Sequence, residues 1–178
     1  MRLLLLCGSV RAGSTNEAVL RTVPEVAPGD VDAVFFPGLG ALPHFNPDDD
    51  REPLPSGVVA LRAAIAAADA LLICTPEYAG DMPGSFKNLL DWTVGGVETE
   101  QKPAAWINAS TSPSGASGTH DVLRTVLGYT GCDVVDDACA RVPVPRALIH
   151  DGVVADPASR AEIASVVRAL RAHVVPRA

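Results

Sequence analysis

The sequence predicts an α/β sandwich in which a five-stranded parallel sheet is covered by helices on both faces. Three observations predict it. Short apolar runs alternate with segments of helical periodicity along the chain, the signature of βαβ units. The first run, Leu3-Leu4-Leu5-Leu6-Cys7, is continuously apolar, as in a strand buried on both faces. The segments that follow Cys7, Cys74 and Asn108 are rich in glycine, proline and hydroxylated residues, the chemistry of ligand-side loops beyond strand ends.

The first strand, Leu3 to Cys7, is closed by Gly8-Ser9. Further strands are expected at Val31 to Phe36, Ala70 to Cys74, Ala104 to Asn108 and Cys132 to Val142. Helical patterns occupy Thr15 to Val23, Ser56 to Ala67, Pro83 to Val94 and Gly118 to Tyr129. A last helix shows Ile163, Val166, Val167, Leu170 and Val174 recurring at three and four residues. Five strands suffice for the flavodoxin-like order 2-1-3-4-5, in which a ligand lies beyond the carboxyl ends of the strands. Pro37 to Pro55, with five prolines and Asp48-Asp49-Asp50, reads as a solvated excursion and not as a linker between domains. A chain of 178 residues that is 48% hydrophobic is expected to fold as a single domain over 1–178.

The formal charge of −7 leaves no broad basic face, so neither a nucleic acid nor an anionic membrane is an expected partner. No apolar run approaches a bilayer span, and the Ala-rich stretch Ala63 to Ala70 is broken by Asp69. Four cysteines without a C-x-x-C pair, and Met1-Arg2 running straight into a strand, point to a reducing cytoplasm. No metal site is assigned.

The loop from Gly8 to Asn16 joins the first strand to the first helix, so its N–H groups gather at a helix N-terminus, a natural anion site. Ser9, Ser14 and Thr15 add hydroxyls, Asn16 an amide, and Arg11 a guanidinium that can meet phosphate oxygens in a forked geometry. A terminal phosphate is the expected ligand. A Walker A loop would need lysine where Ser14 stands, and a dinucleotide fingerprint would need glycine where Val10 stands. A cysteine phosphatase loop starting at Cys7 would need arginine at Gly13. Helix capping by Ser14 or Thr15, with Glu17 close behind, is the alternative reading of part of this loop.

The second loop runs Thr75-Pro76-Glu77-Tyr78-Ala79-Gly80-Asp81-Met82-Pro83, stiffened by its prolines. Gly8-Ser9-x-Arg11-x-x-Ser14-x-Asn16, Pro76-Glu77-Tyr78 and Pro83-Gly84-x-x-Lys87-Asn88-x-x-Asp91-Trp92 together resemble the NADPH-dependent FMN reductase family, whose members include quinone, azo-dye and chromate reductases. The resemblance implies that Ser9, Arg11, Ser14, Thr15 and Asn16 hold the FMN phosphate and that Pro76, Glu77, Tyr78, Ala79, Gly80 and Asp81 border the flavin ring. Relatives often carry asparagine at position 79 and serine at 81. Asp81 would therefore place a negative charge near the ring if it pointed inward. Lys87, Asn88, Asp91 and Trp92 read as structural helix residues.

The third loop, Asn108 to His120, is rich in serine and glycine and allows a planar ligand to approach backbone. The resemblance implies that Ser110, Thr111, Ser112 and Gly115 meet the pyrimidine end of the flavin. His120, just inside the next helix, reads as structural, and Cys7 and Cys74 are given no redox role. The implied activity passes hydride from NADPH or NADH to FMN and then to a small electrophilic acceptor: a quinone, free flavin, azo compound or metal oxyanion. The cofactor carries that chemistry, so no catalytic side chain is assigned. The resemblance also implies a homodimer or homotetramer. Two other classes are weighed: a flavodoxin-like FMN-binding electron carrier without nicotinamide turnover, and a flavin-free hydrolase using Ser9 or Ser14.

Overall fold

The computed structural model describes residues 1–175; the last three residues of the expected domain span, 176–178, lie outside the described residues. Five strands, β1 (Arg2–Cys7), β2 (Asp32–Phe35), β3 (Ala70–Cys74), β4 (Pro103–Asn108) and β5 (Asp133–Val134), form a parallel sheet in the order β2-β1-β3-β4-β5. This is the flavodoxin-like order expected from the sequence. The sheet is wrapped by α1 (Thr15–Val26), α2 (Ser56–Ala66), α3 (Gly84–Asp91), α4 (Ser117–Tyr129) and α5 (Pro157–Val174).

The continuous apolar run of β1 is explained by two cores. Leu3, Leu5 and Cys7 face one cluster, with Val19, Leu20 and Val23 of α1 and Ile163, Val167 and Leu170 of α5. Leu4 and Leu6 face the other, with Leu61 and Ile65 of α2, Phe86 and Leu89 of α3, and Leu123 and Leu127 of α4. Alternation along a strand thus serves both layers. The four leucines of β1 are at most 3% exposed, and burying each contributes roughly 2 kcal/mol.

The expected fifth strand, Cys132 to Val142, is interrupted. A 3-10 turn at Asp136–Ala138 separates β5 from β6 (Ala140–Arg141), and both pieces pair with β4, at Pro103-Ala104 and at Ile107-Asn108. Asp136-Asp137 favours a turn over a strand, and Asp136 is drawn outward to Arg124 at 2.6 Å. After β6 the chain makes a 3-10 turn at Arg146–Leu148 and a hairpin of β7 (Ile149–His150) and β8 (Val153–Val154) before entering α5.

The Pro37 to Pro55 excursion is pinned by α3. Asn88 Nδ2 and Trp92 Nε1 both donate to the Pro43 carbonyl at 2.8 Å, and the Phe45 N–H donates to Asn88 Oδ1 at 2.7 Å. Lys87 pairs with Asp91 one turn on. Asn88 and Trp92 thus brace the loop while Lys87 and Asp91 pair along the helix surface, structural roles for all four. Among the described residues, no helix is long and apolar enough to cross a membrane.

Candidate cofactor site

The loops after β1, β3 and β4 converge on a cleft of about 480 Å³ at the carboxyl ends of those strands. Thr15 and Asn16 contribute from the start of α1; Thr75, Pro76 and Glu77 from the end of β3; and Ala109, Ser110, Thr111, Ser112 and Ser114 from beyond β4. Val144 and Arg146 close the fourth side. Close strand-to-strand approach makes the convergence possible. The Gly8 N–H donates to the Cys74 carbonyl at 2.9 Å, and a Cβ on Gly8 would lie 2.0 Å from Thr75 Oγ1 and 3.0 Å from Thr75 Cα. Only glycine fits there.

The first loop forms a wall between two clefts. Ser9 and Arg11 line a neighbouring cavity of about 360 Å³ with Glu17, Arg21, Phe35 and Leu39, while Thr15 and Asn16 face the three-loop cleft. Ser14 is 3% exposed and is the N-cap of α1, its Oγ accepting the Glu17 N–H at 3.1 Å. The capping alternative for Ser14 is therefore realised, and its hydroxyl hydrogen stays available as a donor. Glu17 reaches back to the Gly13 N–H at 2.8 Å and pairs with Arg21 at 2.7 Å, which offsets its charge beside the N-terminus of α1. Arg11 is exposed, and its N–H donates to Ser9 Oγ at 3.3 Å.

In the second loop Pro76 and Glu77 line the cleft, whereas Tyr78 to Asp81 turn outward. The Tyr78 N–H donates to the Asp81 carbonyl at 2.8 Å and the Asp81 N–H returns to the Tyr78 carbonyl at 3.1 Å. Ala79 at φ 54° and Gly80 at φ 81° make this a turn with two left-handed central residues. Asparagine tolerates that conformation better than alanine. Asp81 is exposed and its carboxylate accepts the Met82 N–H. Its charge is held at the outer face of the loop. Glu77 Oε2 accepts the Thr119 N–H at 3.3 Å, supplying α4 with an N-terminal cap from another element where Ala116 at φ 52° offers none.

Asn108 anchors the third loop. Its buried amide donates to the Gly115 carbonyl and accepts the Ser110 N–H at 3.0 Å. Ser110, Ser112 and Ser114 then chain their hydroxyls at 2.9 and 3.1 Å along the cleft wall. Thr111 is exposed at the rim, and Gly115 lies buried beneath the loop, outside the cleft lining. His120 is 7% exposed; Nδ1 bonds to the Ala116 carbonyl at 2.8 Å, so that nitrogen carries the proton, and Nε2 is buried without a partner. Desolvation holds its pKa below the usual histidine range. Cys7 and Cys74 stand side by side in the β1–β3 register, and burial pushes both thiols up.

Two residues absent from the sequence-based set complete the site. Arg141 Nη2 donates to the Ser112 carbonyl at 3.1 Å, and Arg146 Nη1 donates to the Gly13 carbonyl at 2.9 Å. Each braces one cleft loop. Arg141 ends β6 and Arg146 follows it, so extending the rule of carboxyl-end loops to the last strand of the sheet draws attention to both.

The strand order and the cleft over the strand ends define a flavodoxin-like α/β protein with a cleft at its topological switch point, where ligands of such sheets bind. Residues 1–143 match the NADPH-dependent FMN reductase family, and the chain belongs to that family. It is 38% identical over 93 residues to a quinone reductase of Escherichia coli (strain K12), a match covering 52% of this chain and 50% of that protein. The chain thus matches about half the length of that relative. It is 35% identical over 132 residues to a 2-hydroxy-1,4-benzoquinone reductase of a Burkholderia species, covering 72% of this chain and 71% of the relative. Among solved structures, the flavoenzyme NAD(P)H:(acceptor) oxidoreductase FerB from Paracoccus denitrificans superposes with a TM-score of 0.77 at 27% identity, covering 97% of this chain and 98% of that one.

Proposed function

We propose that this chain binds FMN in the three-loop cleft and acts as an NAD(P)H-dependent oxidoreductase on a small electrophilic acceptor, with quinones the first class to test. The observation that carries this reading is the convergence of the loops after β1, β3 and β4 on one cleft, in a chain whose family is defined by FMN reduction. The donor set suits such a ligand. At one end stand the α1 N-terminus, Thr15 and Asn16; at the other, the serine chain from Ser110 to Ser114. When bound, FMN supplies the hydride-accepting and electron-donating chemistry.

The chain's own residues bind and orient. Thr15 and Asn16, with Ser14 behind them and Ser9 and Arg11 across the loop wall, would take the phosphate end. Pro76 and Glu77 would edge the ring, with the outward turn Tyr78, Ala79, Gly80 and Asp81 as its rim. Ser110, Thr111 and Ser112, with Gly115 beneath, would meet the pyrimidine end, where N–H and O–H donors favour the charge that reduction adds. The quinone reductases of Escherichia coli and the Burkholderia species support the acceptor class.

We further propose one domain over the whole chain, a cytoplasmic setting in which the four cysteines stay free, and a homodimer or homotetramer. The deciding experiment is an absorption spectrum of the protein with FMN, before and after anaerobic NADPH or NADH. Bound flavin that bleaches with either reductant is the expected outcome. Bound flavin that neither reductant bleaches would leave an electron carrier, and failure to take up FMN would overturn the cofactor.

A further inference from the structure

The three-loop cleft has two charged side chains in its lining, Glu77 and Arg146. Glu77 is committed to the N-terminus of α4 through the Thr119 N–H. Arg11, the cation that the first-loop motif offers, lines the neighbouring cavity instead. Arg146 is therefore the cation of this cleft. It arrives from a segment beyond residue 143, where the family match ends.

Its position is held by the loop it would serve. Nη1 donates to the Gly13 carbonyl at 2.9 Å, which sets the guanidinium against the turn immediately before the N-cap Ser14. That contact uses one of five N–H donors, and among the described residues the guanidinium has no other hydrogen-bond partner. Thr15 and Asn16, in the first turn of α1, line the same cleft. A guanidinium and a helix N-terminus thus border one space, and both favour a compact anion with several acceptor oxygens.

We propose that Arg146 is a charge ligand of the flavin phosphate in addition to the first-loop Arg11, clamping the phosphate against the first turn of α1 from the cleft side. The inference rests on the FMN reading. It predicts discrimination between FMN and riboflavin, which share the ring and differ by the phosphate.

The test is a fluorescence-quenching titration of the flavin-free full chain with FMN and with riboflavin at fixed ionic strength, for the wild type and for Arg146→Ala, Arg146→Gln and Arg146→Lys. Arg146→Ala and Arg146→Gln are expected to weaken FMN roughly ten- to a hundredfold, the scale of a charge-assisted hydrogen bond, and to leave riboflavin within about twofold. Arg146→Lys is expected to recover most of the FMN affinity. Equal losses for both flavins, or rescue by Gln but not Lys, would reduce Arg146 to a brace for the Gly13 turn and overturn the inference. So would unchanged FMN affinity in Arg146→Ala. A wild type that binds neither flavin would instead overturn the FMN reading itself.

Discussion

The thiol of Cys74 donates to Oδ1 of Asn16 at 3.2 Å, tying the end of β3 to the first turn of α1. This contact orients the Asn16 amide at the cleft. Cys74 is fully buried, and its thiol is pushed well above the usual range, first by burial and then by the neighbouring Cys7. It therefore stays protonated, and a donor, at neutral pH.

Cys74→Ala is expected to destabilise the protein by about 1–2 kcal/mol, from lost packing and a lost hydrogen bond, read as a lower urea midpoint. In the wild type at pH 8, Cys7 and Cys74 are expected to escape thiol-specific labelling until the chain is unfolded. Partly exposed Cys139, pushed up to about 11 by burial, should label slowly. Rapid native modification of Cys74, located by peptide mapping, would contradict this arrangement.

Ala79 holds a left-handed conformation that asparagine or glycine adopts at lower cost. Ala79→Asn is expected to stabilise the fold by about 0.5–1 kcal/mol, and Ala79→Val to destabilise it by about 1 kcal/mol or more. Thermal unfolding should register the first as a rise of roughly 1–4 °C.

Gly8→Ala would drive a methyl group into Thr75, including its backbone, where no side-chain rotation makes room. A loss of about 2–4 kcal/mol is expected, or outright failure to accumulate folded protein. Because the clash separates β1 from β3 at the cleft floor, flavin uptake should fall in whatever folded fraction remains.

His120 gives stability a pH dependence of definite sign. Its folded pKa lies below the unfolded value, so below about pH 6.5 the unfolded chain binds the extra proton. Stability contributed by the neutral ring is complete above about pH 6.5 and declines as pH falls from there towards the folded pKa. His120→Gln should flatten that part of the profile in urea titrations from pH 7 to pH 5. An unchanged slope would remove His120 from the account.

Much of this fold was legible because its signals are local. The apolar run Leu3 to Cys7 and the spacing of Ile163, Val166, Val167 and Leu170 each specify a buried surface without reference to anything distant. The break in the fifth strand was not legible from hydrophobicity, although Asp136-Asp137 marked it. Asp151-Gly152, flanked by Ile149-His150 and Val153-Val154, is a hairpin signal muted by strands only two residues long. At the site, the motif residues could be named, but not the side of the loop each would face. Ser9 and Arg11 share a motif with Asn16 yet stand on another cleft, because a loop wrapped around a helix N-terminus presents two surfaces. Arg141 and Arg146 act through carbonyls 29 and 133 residues away, contacts that no local pattern encodes.

The interrupted fifth strand also leaves one margin of the sheet unsuited to edge-to-edge pairing. A continuous outer strand would offer a ladder of N–H and C=O groups to any second sheet that came alongside. Here that border is two short pieces, Asp133–Val134 and Ala140–Arg141, with a helical turn and two aspartates between them. Such a border gives a neighbouring sheet no continuous ladder to extend, and so resists fibre-like stacking.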